Sequence, residues 1–347
     1  MKTIKKILKP TLLTLLCGYS ALSFATEIPP TDDNIFYTGR VTTDHRFAWT
    51  GSGFNVGVTQ GAVSASFTAN KQNAVTVLVN SVESVVYLQP GTHSYQLSAP
   101  LLSGEHSIKV FKRSEAAKGT IKLNSLTIDD EAKLYALVQP KNKFMAIGDS
   151  ITCGYGNEAK QLSEGNTIAN QNGYMSYAAI AARELDAQLM ITCWSGRGLY
   201  RNRQLKNDQV GIMPELFNYV LPVEQEEYWQ PASYVPNWIL INLGTNDLAQ
   251  ADKKGALNKG DYLAAYKTFV DKLILNYPQA KFIFSIGPMK NAPINTWLTE
   301  FSENYKQASV LEFAPFASED EKGGHFHPSV LKDKKMADAL VKHILKN

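Results

Sequence analysis

Between residue 27 and about residue 137, apolar side chains recur at every second position. Val75, Val77 and Val79 alternate through "NAVTVLVN", Ile108 and Val110 through "HSIKVFK", and Ile121 and Leu123 through "TIKLNSLTI". A period of two puts such side chains on one face of a strand, and "QPGTH" and "LSGEH" supply turns between strands. Several short strands at close spacing, without a long helical pattern, predict an antiparallel β-sandwich of the jelly-roll type over residues 26–138.

The period changes after "QPKNK". Short continuous apolar runs, "FMAIG", "AQLMITCW", "NWILINLG", "KFIFSIG" and "SVLEFAPF", now alternate with amphipathic segments such as "DYLAAYKTFVDKLILNY" and "SVLKDKKMADALVKHILK". Buried strands alternating with helices predict an α/β/α domain with a parallel sheet over residues 139–347. In open parallel sheets, ligands bind beyond the carboxyl ends of the strands. The loops beginning at Gly148, Trp194, Gly244 and Gly287, and the one near His327, are therefore expected to meet at one edge.

The first 25 residues are of another kind. Lys2, Lys5, Lys6 and Lys9 precede the apolar run "TLLTLLCGYSALS", and small residues end at Ala25. That is the pattern of a secretory signal peptide cleaved near Ala25, so a secreted or periplasmic protein is expected. The whole chain carries +3, but these 25 residues hold four lysines and no acid, which leaves −1 for the rest. Nothing in that charge favours a nucleic-acid partner, and no later segment reaches the roughly 18 apolar residues of a membrane span. A monomer is expected. Cys153 and Cys193 survive cleavage and can pair in an oxidising compartment, although spacing alone leaves the pairing open.

Four motifs lie at predicted strand ends. In "GDSITCGYGN" Ser150 either caps a following helix or is a nucleophile held at that helix's positive end. In "CWSGRGLYRN" the glycines are plain turn formers, or Gly196 brings a backbone N–H close to a developing oxyanion. In "GTND" Asn246 closes a turn or donates its amide to the same oxyanion. In "GGHFHPSV" His327 supplies the base that Ser150 needs. The spacing His325-x-His327 also raises a metal site, but a closed zinc site takes about four ligands, and Asp320 and Glu321 nearby follow no ligand spacing. No metal is therefore expected. Trp194, Trp229 and Trp297 either stack on a sugar or belong to the core.

These four motifs, in this order, resemble the SGNH/GDSL hydrolases, and a β-sandwich ahead of them resembles carbohydrate esterase family 2, the acetyl xylan esterase-like group. The resemblance implies a serine esterase that removes O-acetyl groups from polysaccharides, often at the primary 6-hydroxyl of hexoses, without a cofactor. It implies Ser150 as nucleophile and His327 as base, with the N–H groups of Ser150 and Gly196 and the Asn246 side chain as oxyanion hole. Relatives often carry an Asp two or three residues before the histidine. Here those positions hold His325 and Gly324, which implies a Ser–His dyad whose imidazole is oriented by a backbone carbonyl, unless Asp320 or Glu319 substitutes. Two other readings fit the scaffold: a lipid or peptidoglycan O-acyl esterase, and an inactive glycan-binding protein.

Overall fold

The computed structural model describes residues 25–204 and 210–346. The expected signal peptide lies almost wholly outside the described residues. The N-terminal part is a sandwich of a five-stranded and a six-stranded antiparallel sheet. Along Gly61–Ala69 the side chains of Val63, Ala65, Phe67 and Ala69 are buried and their neighbours are not, the alternation of a half-buried strand. They pack with Phe54, Val56, Val75, Val77, Val110 and Leu123 into the core between the sheets. The last antiparallel pairing of this part joins Leu134–Tyr135 to Gly53–Val58.

The second part is a parallel sheet with helices on its faces. In spatial order its strands are Ala187–Cys193, Asn142–Gly148, Trp238–Asn242, Lys281–Ile286 and Ala308–Glu312. The middle strands are apolar on both faces because helices cover both. Tyr177–Glu184 and Val330–Lys346 pack with Ala146 and Leu240, whereas Lys259–Asn276 and Ile294–Ser302 pack with Ile239, Ile241 and Phe284. In chain order the sheet reads second, first, third, fourth, fifth. The connections therefore leave in opposite directions between Asn142–Gly148 and Trp238–Asn242, which opens a crevice at their carboxyl ends.

One local expectation fails. No helix follows Ser150. Residues 150–158 form consecutive turns, and the next α-helix begins only at Tyr177. Gly154 (φ +70°) and Gly156 (φ +55°) adopt left-handed backbone that interrupts a helix. The Asp149 carboxylate accepts the Ile151 N–H at 3.0 Å, so it closes an Asx turn rather than capping a helix. No helix dipole thus acts on Ser150.

The sandwich and the α/β domain share buried contacts. Ala48, Trp49 and Ala116 of the sandwich join the core cluster under the parallel sheet. Arg40 is buried with its guanidinium between the rings of Phe217 and Trp229, at 4.3 and 4.6 Å, and donates to the carbonyls of Phe217 and Tyr219. The three tryptophans that could have stacked on a sugar are structural. Trp194 is buried, Trp229 donates to Tyr277 Oη at 3.0 Å, and Trp297 packs on Tyr262.

Cys153 and Cys193 form a disulfide between the turns after Ser150 and the end of the neighbouring strand. The two cysteines are 40 residues apart in sequence, and closing a loop of that size in the unfolded chain removes entropy worth about 4 kcal/mol in the chain-entropy description. The Cys153→Ser/Cys193→Ser variant is expected to lose about 2–4 kcal/mol of unfolding free energy in urea titrations. Loss below about 0.5 kcal/mol would mean that the packed loops hold this corner without the covalent link.

Candidate active site

Ser150, Gly196, Asn246 and His327 line one cavity of about 400 Å³ at the carboxyl edge of the parallel sheet. Ser150 follows Asn142–Gly148 and Asn246 follows Trp238–Asn242, so these two flank the crevice at the switch in strand order. Gly196 lies three residues beyond Ala187–Cys193, and His327 stands on the loop before Val330–Lys346.

His327 Nε2 lies 2.8 Å from Ser150 Oγ. Its other ring nitrogen, Nδ1, is 3.2 Å from the carbonyl oxygen of His325. A carbonyl only accepts, so Nδ1 carries the proton and the bare Nε2 accepts the serine hydroxyl. The backbone makes this contact by an uncommon route. His325 (φ +48°) and Phe326 (φ +63°) both adopt left-handed conformations, which turn the His325 carbonyl back toward the imidazole two residues on. Burial pushes His327 down to about 4, with its backbone hydrogen bonds opposing that fall. A ring so depressed is neutral at ordinary pH and able to accept a proton on Nε2.

The acidic alternatives face elsewhere. Asp320 accepts from Ser318 Oγ, and Glu319 pairs with Lys322. His325 is engaged too, with its Nδ1 2.9 Å from Tyr155 Oη, and Tyr155 stacks on His327 at 4.0 Å between ring centroids. The two histidines thus serve different partners. Among the described residues, no group of three or more His, Cys, Asp or Glu side chains is gathered to hold a metal.

The N–H groups of Ser150 and Gly196 find no hydrogen-bond acceptor among the described residues. Gly196 has φ +79°, and a Cβ there would meet nothing within 4 Å, so backbone conformation rather than crowding asks for glycine. Asn246 is arranged differently from the simplest expectation. Its Nδ2 donates to Asp149 Oδ2 at 3.0 Å and to the Arg197 carbonyl at 2.9 Å, so both amide hydrogens are engaged by protein acceptors. Burial pushes Asp149 up to about 7 against the pull of the Ile151 N–H.

Sequence reasoning misses three supporting residues. Asp247, beside Asn246, is fully buried and accepts the N–H groups of Leu199, Tyr200 and Arg201 at 2.7–2.9 Å. Burial raises its pKa, and these backbone donors oppose the rise. It fixes the glycine-rich loop from inside. Tyr155 is the platform for His327, and an aromatic within the serine motif was the available signal. Asp333, on the last helix, accepts from Asn157 Nδ2 and the Tyr177 N–H, both at 3.0 Å, and burial pushes its carboxyl up to about 8. Its position inside an ordinary amphipathic pattern gave no signal.

Known proteins share both parts of this architecture. Residues 37–137 match the Carbohydrate esterase 2 N-terminal family, and residues 146–335 match the GDSL-like Lipase/Acylhydrolase family. A cellulase/esterase CelE of Acetivibrio thermocellus is 30% identical over 332 residues, covering 91% of this chain and 40% of the relative. An acetylxylan esterase / glucomannan deacetylase of Cellvibrio japonicus is 32% identical over 206 residues, 59% of this chain and 56% of the relative. The chain thus spans 40% and 56% of the lengths of these two proteins. Among solved structures, a family two carbohydrate esterase from Clostridium thermocellum in complex with cellohexaose superposes with a TM-score of 0.84 at 28% identity, covering 90% of this chain and 98% of the other. With more than half of its length matched by that model, the chain belongs to the GDSL-like lipase/acylhydrolase family, and residues 37–137 ahead of it match the Carbohydrate esterase 2 N-terminal model.

Proposed function

We propose that this protein is a secreted serine esterase that removes O-acetyl groups from plant-type polysaccharides of the xylan or mannan class. The observation that carries the reading is the line Ser150 Oγ, His327 Nε2, His327 Nδ1, His325 carbonyl, at 2.8 and 3.2 Å. The relatives' names, acetylxylan esterase, glucomannan deacetylase and a carbohydrate esterase bound to cellohexaose, support the substrate class. The primary 6-O-acetyl ester of a hexose is the position to test first. The signal-like first 25 residues and the buried disulfide support export to the periplasm or beyond. No helix among the described residues is long and apolar enough to cross a membrane, and the protein acts as a monomer on a soluble or fibrous glycan.

In the proposed reaction His327 Nε2 takes the hydroxyl proton as Ser150 Oγ attacks the acetyl carbon. The carbonyl π electrons move onto oxygen, and the N–H groups of Ser150 and Gly196 receive that oxyanion. Asn246 Nδ2 joins them by exchanging one of its two acceptors, Asp149 or the Arg197 carbonyl. As the tetrahedral intermediate collapses, the bond to the sugar oxygen breaks and His327 returns its proton to that oxygen. Water then attacks the acetyl-serine by the same route, releasing acetate and restoring Ser150. The transient imidazolium is held by the His325 carbonyl, a dipole rather than a full negative charge.

Ser150→Ala is expected to abolish hydrolysis of acetylated xylan and mannan oligosaccharides while leaving the circular dichroism spectrum unchanged. A folded variant at the wild-type rate would remove the covalent route. Asn246→Ala is expected to lower kcat by roughly 10²–10³-fold with a smaller effect on KM, since its donor strengthens as charge develops on oxygen. A raised KM with kcat held would make Asn246 a substrate-binding residue instead.

A second set separates dyad from triad. His327→Ala should cost roughly 10³-fold or more in kcat. His325→Ala, Asp320→Ala and Glu319→Ala should be far milder, because the acceptor at Nδ1 is main chain and survives all three. Comparable losses at Asp320 or Glu319 and at His327 would reveal a carboxylate partner and end the dyad reading.

The pH profile follows from burial of the base. With His327 at about 4 rather than its ordinary 6.5, the acid limb of kcat/KM should fall near pH 4. The same depressed value couples to stability. The contribution is complete above about 6.5 and is lost as pH falls through about 4, since the unfolded chain binds the proton more readily. A limb near 6.5–7 would instead mean that His327 keeps its ordinary pKa and is not depressed by burial.

A further inference from the structure

Glu115 belongs to the sandwich, just before the short turn Ala116–Lys118, yet its carboxylate is buried against the α/β domain and the residue is only 3% exposed. Oε2 accepts the Ser195 N–H at 2.7 Å, and Oε1 accepts Asn166 Nδ2 at 2.8 Å. The first contact is one peptide away from the Gly196 N–H, and Ser195 and Gly196 both line the Ser150 cavity. The second leads to the histidine loop. Asn166 Oδ1 accepts the Gly156 N–H at 3.3 Å, and the Gly156 carbonyl accepts the Gly324 N–H at 2.9 Å. Gly324 directly precedes His325, whose carbonyl holds His327.

The backbone that carries the carboxylate, and that of its partner Asn166, are themselves anchored. Buried Lys112 donates to the carbonyls of Ser114 and Glu115 at 3.0 and 2.8 Å and to Ser114 Oγ at 2.9 Å, and Lys118 Nζ donates to the Asn166 carbonyl at 2.8 Å. A charged acceptor holding a backbone N–H is among the stronger hydrogen bonds available, and it fixes the plane of the peptide it meets. Other contacts hold the later part of this loop, among them Asp247 on the Leu199 N–H and the Gly196 carbonyl on the Arg203 N–H, while Glu115 is the side chain that fixes the peptide N–H just before Gly196.

We propose that Glu115 is a positioning residue for the ester hydrolysis, supplied by the sandwich domain, which sets the Gly196 N–H for the oxyanion and braces the loop that orients His327. The sandwich is then part of the catalytic apparatus and not only an appended module. This inference rests on the esterase reading of Ser150 and His327. Glutamine at this position keeps the shape but puts an NH₂ against one of two donors, so either the oxyanion loop or the Asn166 contact loses its acceptor.

The test compares wild type, Ser150→Ala, Glu115→Gln and Glu115→Asp on one acetylated oligosaccharide, with melting temperature measured for each. Glu115→Gln is expected to lower kcat by roughly 10–10²-fold, the scale of a misplaced rather than deleted group, with KM within about threefold. Its affinity for methylboronic acid, which forms a tetrahedral adduct on a nucleophilic serine, should weaken by the same factor as kcat/KM. Glu115→Asp, which keeps charge and both acceptors, should recover part of the loss, and it carries the test if the glutamine variant does not fold. A folded Glu115→Gln with kcat within about twofold of wild type overturns the proposal, as does a lower melting temperature with kcat and boronate affinity unchanged. Wild type without esterase activity, or Ser150→Ala that keeps it, overturns the functional reading itself and is distinguishable from either outcome.

Discussion

Which nitrogen a buried imidazole presents is set by what holds the other one, and in this protein a main-chain carbonyl does the holding. Everything around Ser150 follows from that arrangement. In the proposed reaction the ring must be neutral to take the serine proton, and burial favours that form. It must also present Nε2 and not Nδ1 to the serine, and the His325 carbonyl at 3.2 Å decides this because it can take a hydrogen but not give one. The cost is a pair of consecutive non-glycine residues in left-handed backbone. Such strain persists because the surrounding loop is tied down, by Tyr155 on the rings and by Gly156 on the Gly324 N–H.

The rest of the fold supplies fixed walls for this line. The parallel sheet brings the serine and Asn246 to the two sides of its switch point, and the disulfide ties the serine turns to the strand that leads to Gly196. Three buried carboxyl groups, those of Asp149, Asp247 and Asp333, direct their acceptor capacity to loop N–H and amide groups instead of to the substrate. Each is a desolvated group whose cost is offset by several hydrogen bonds. These contacts fix the Gly196 loop and the serine turns in place, whereas Asn246 has to exchange an acceptor before its amide can reach an oxyanion.

The layout was readable in the sequence where periodicity was strong. The change from period two to apolar runs with helices located both domain types, and the strand-end rule brought Ser150, Gly196, Asn246 and His327 together from distant positions. Local backbone was less legible. A helix after Ser150 is the natural expectation, but Gly154 and Gly156 take left-handed conformations, and nothing in a pattern of apolar positions reports that. At Asn246 the residue was legible and its environment was not, since its acceptors, Asp149 and the Arg197 carbonyl, depend on loop geometry. Glu115 was invisible for a different reason. It is one acid in a β-rich segment, and only the packing of one domain on the other gives it a partner.

His327 as a neutral base, with its proton on Nδ1 and a carbonyl to hold it, is the arrangement on which the mechanism stands. Nitrogen-15 NMR of histidine-labelled protein near pH 6 measures it directly, with His327→Ala used to assign the signal. The expected result is one pyrrole-like, protonated Nδ1 and one pyridine-like Nε2 on the His327 ring. A ring protonated on both nitrogens, or one carrying its single proton on Nε2, would contradict it.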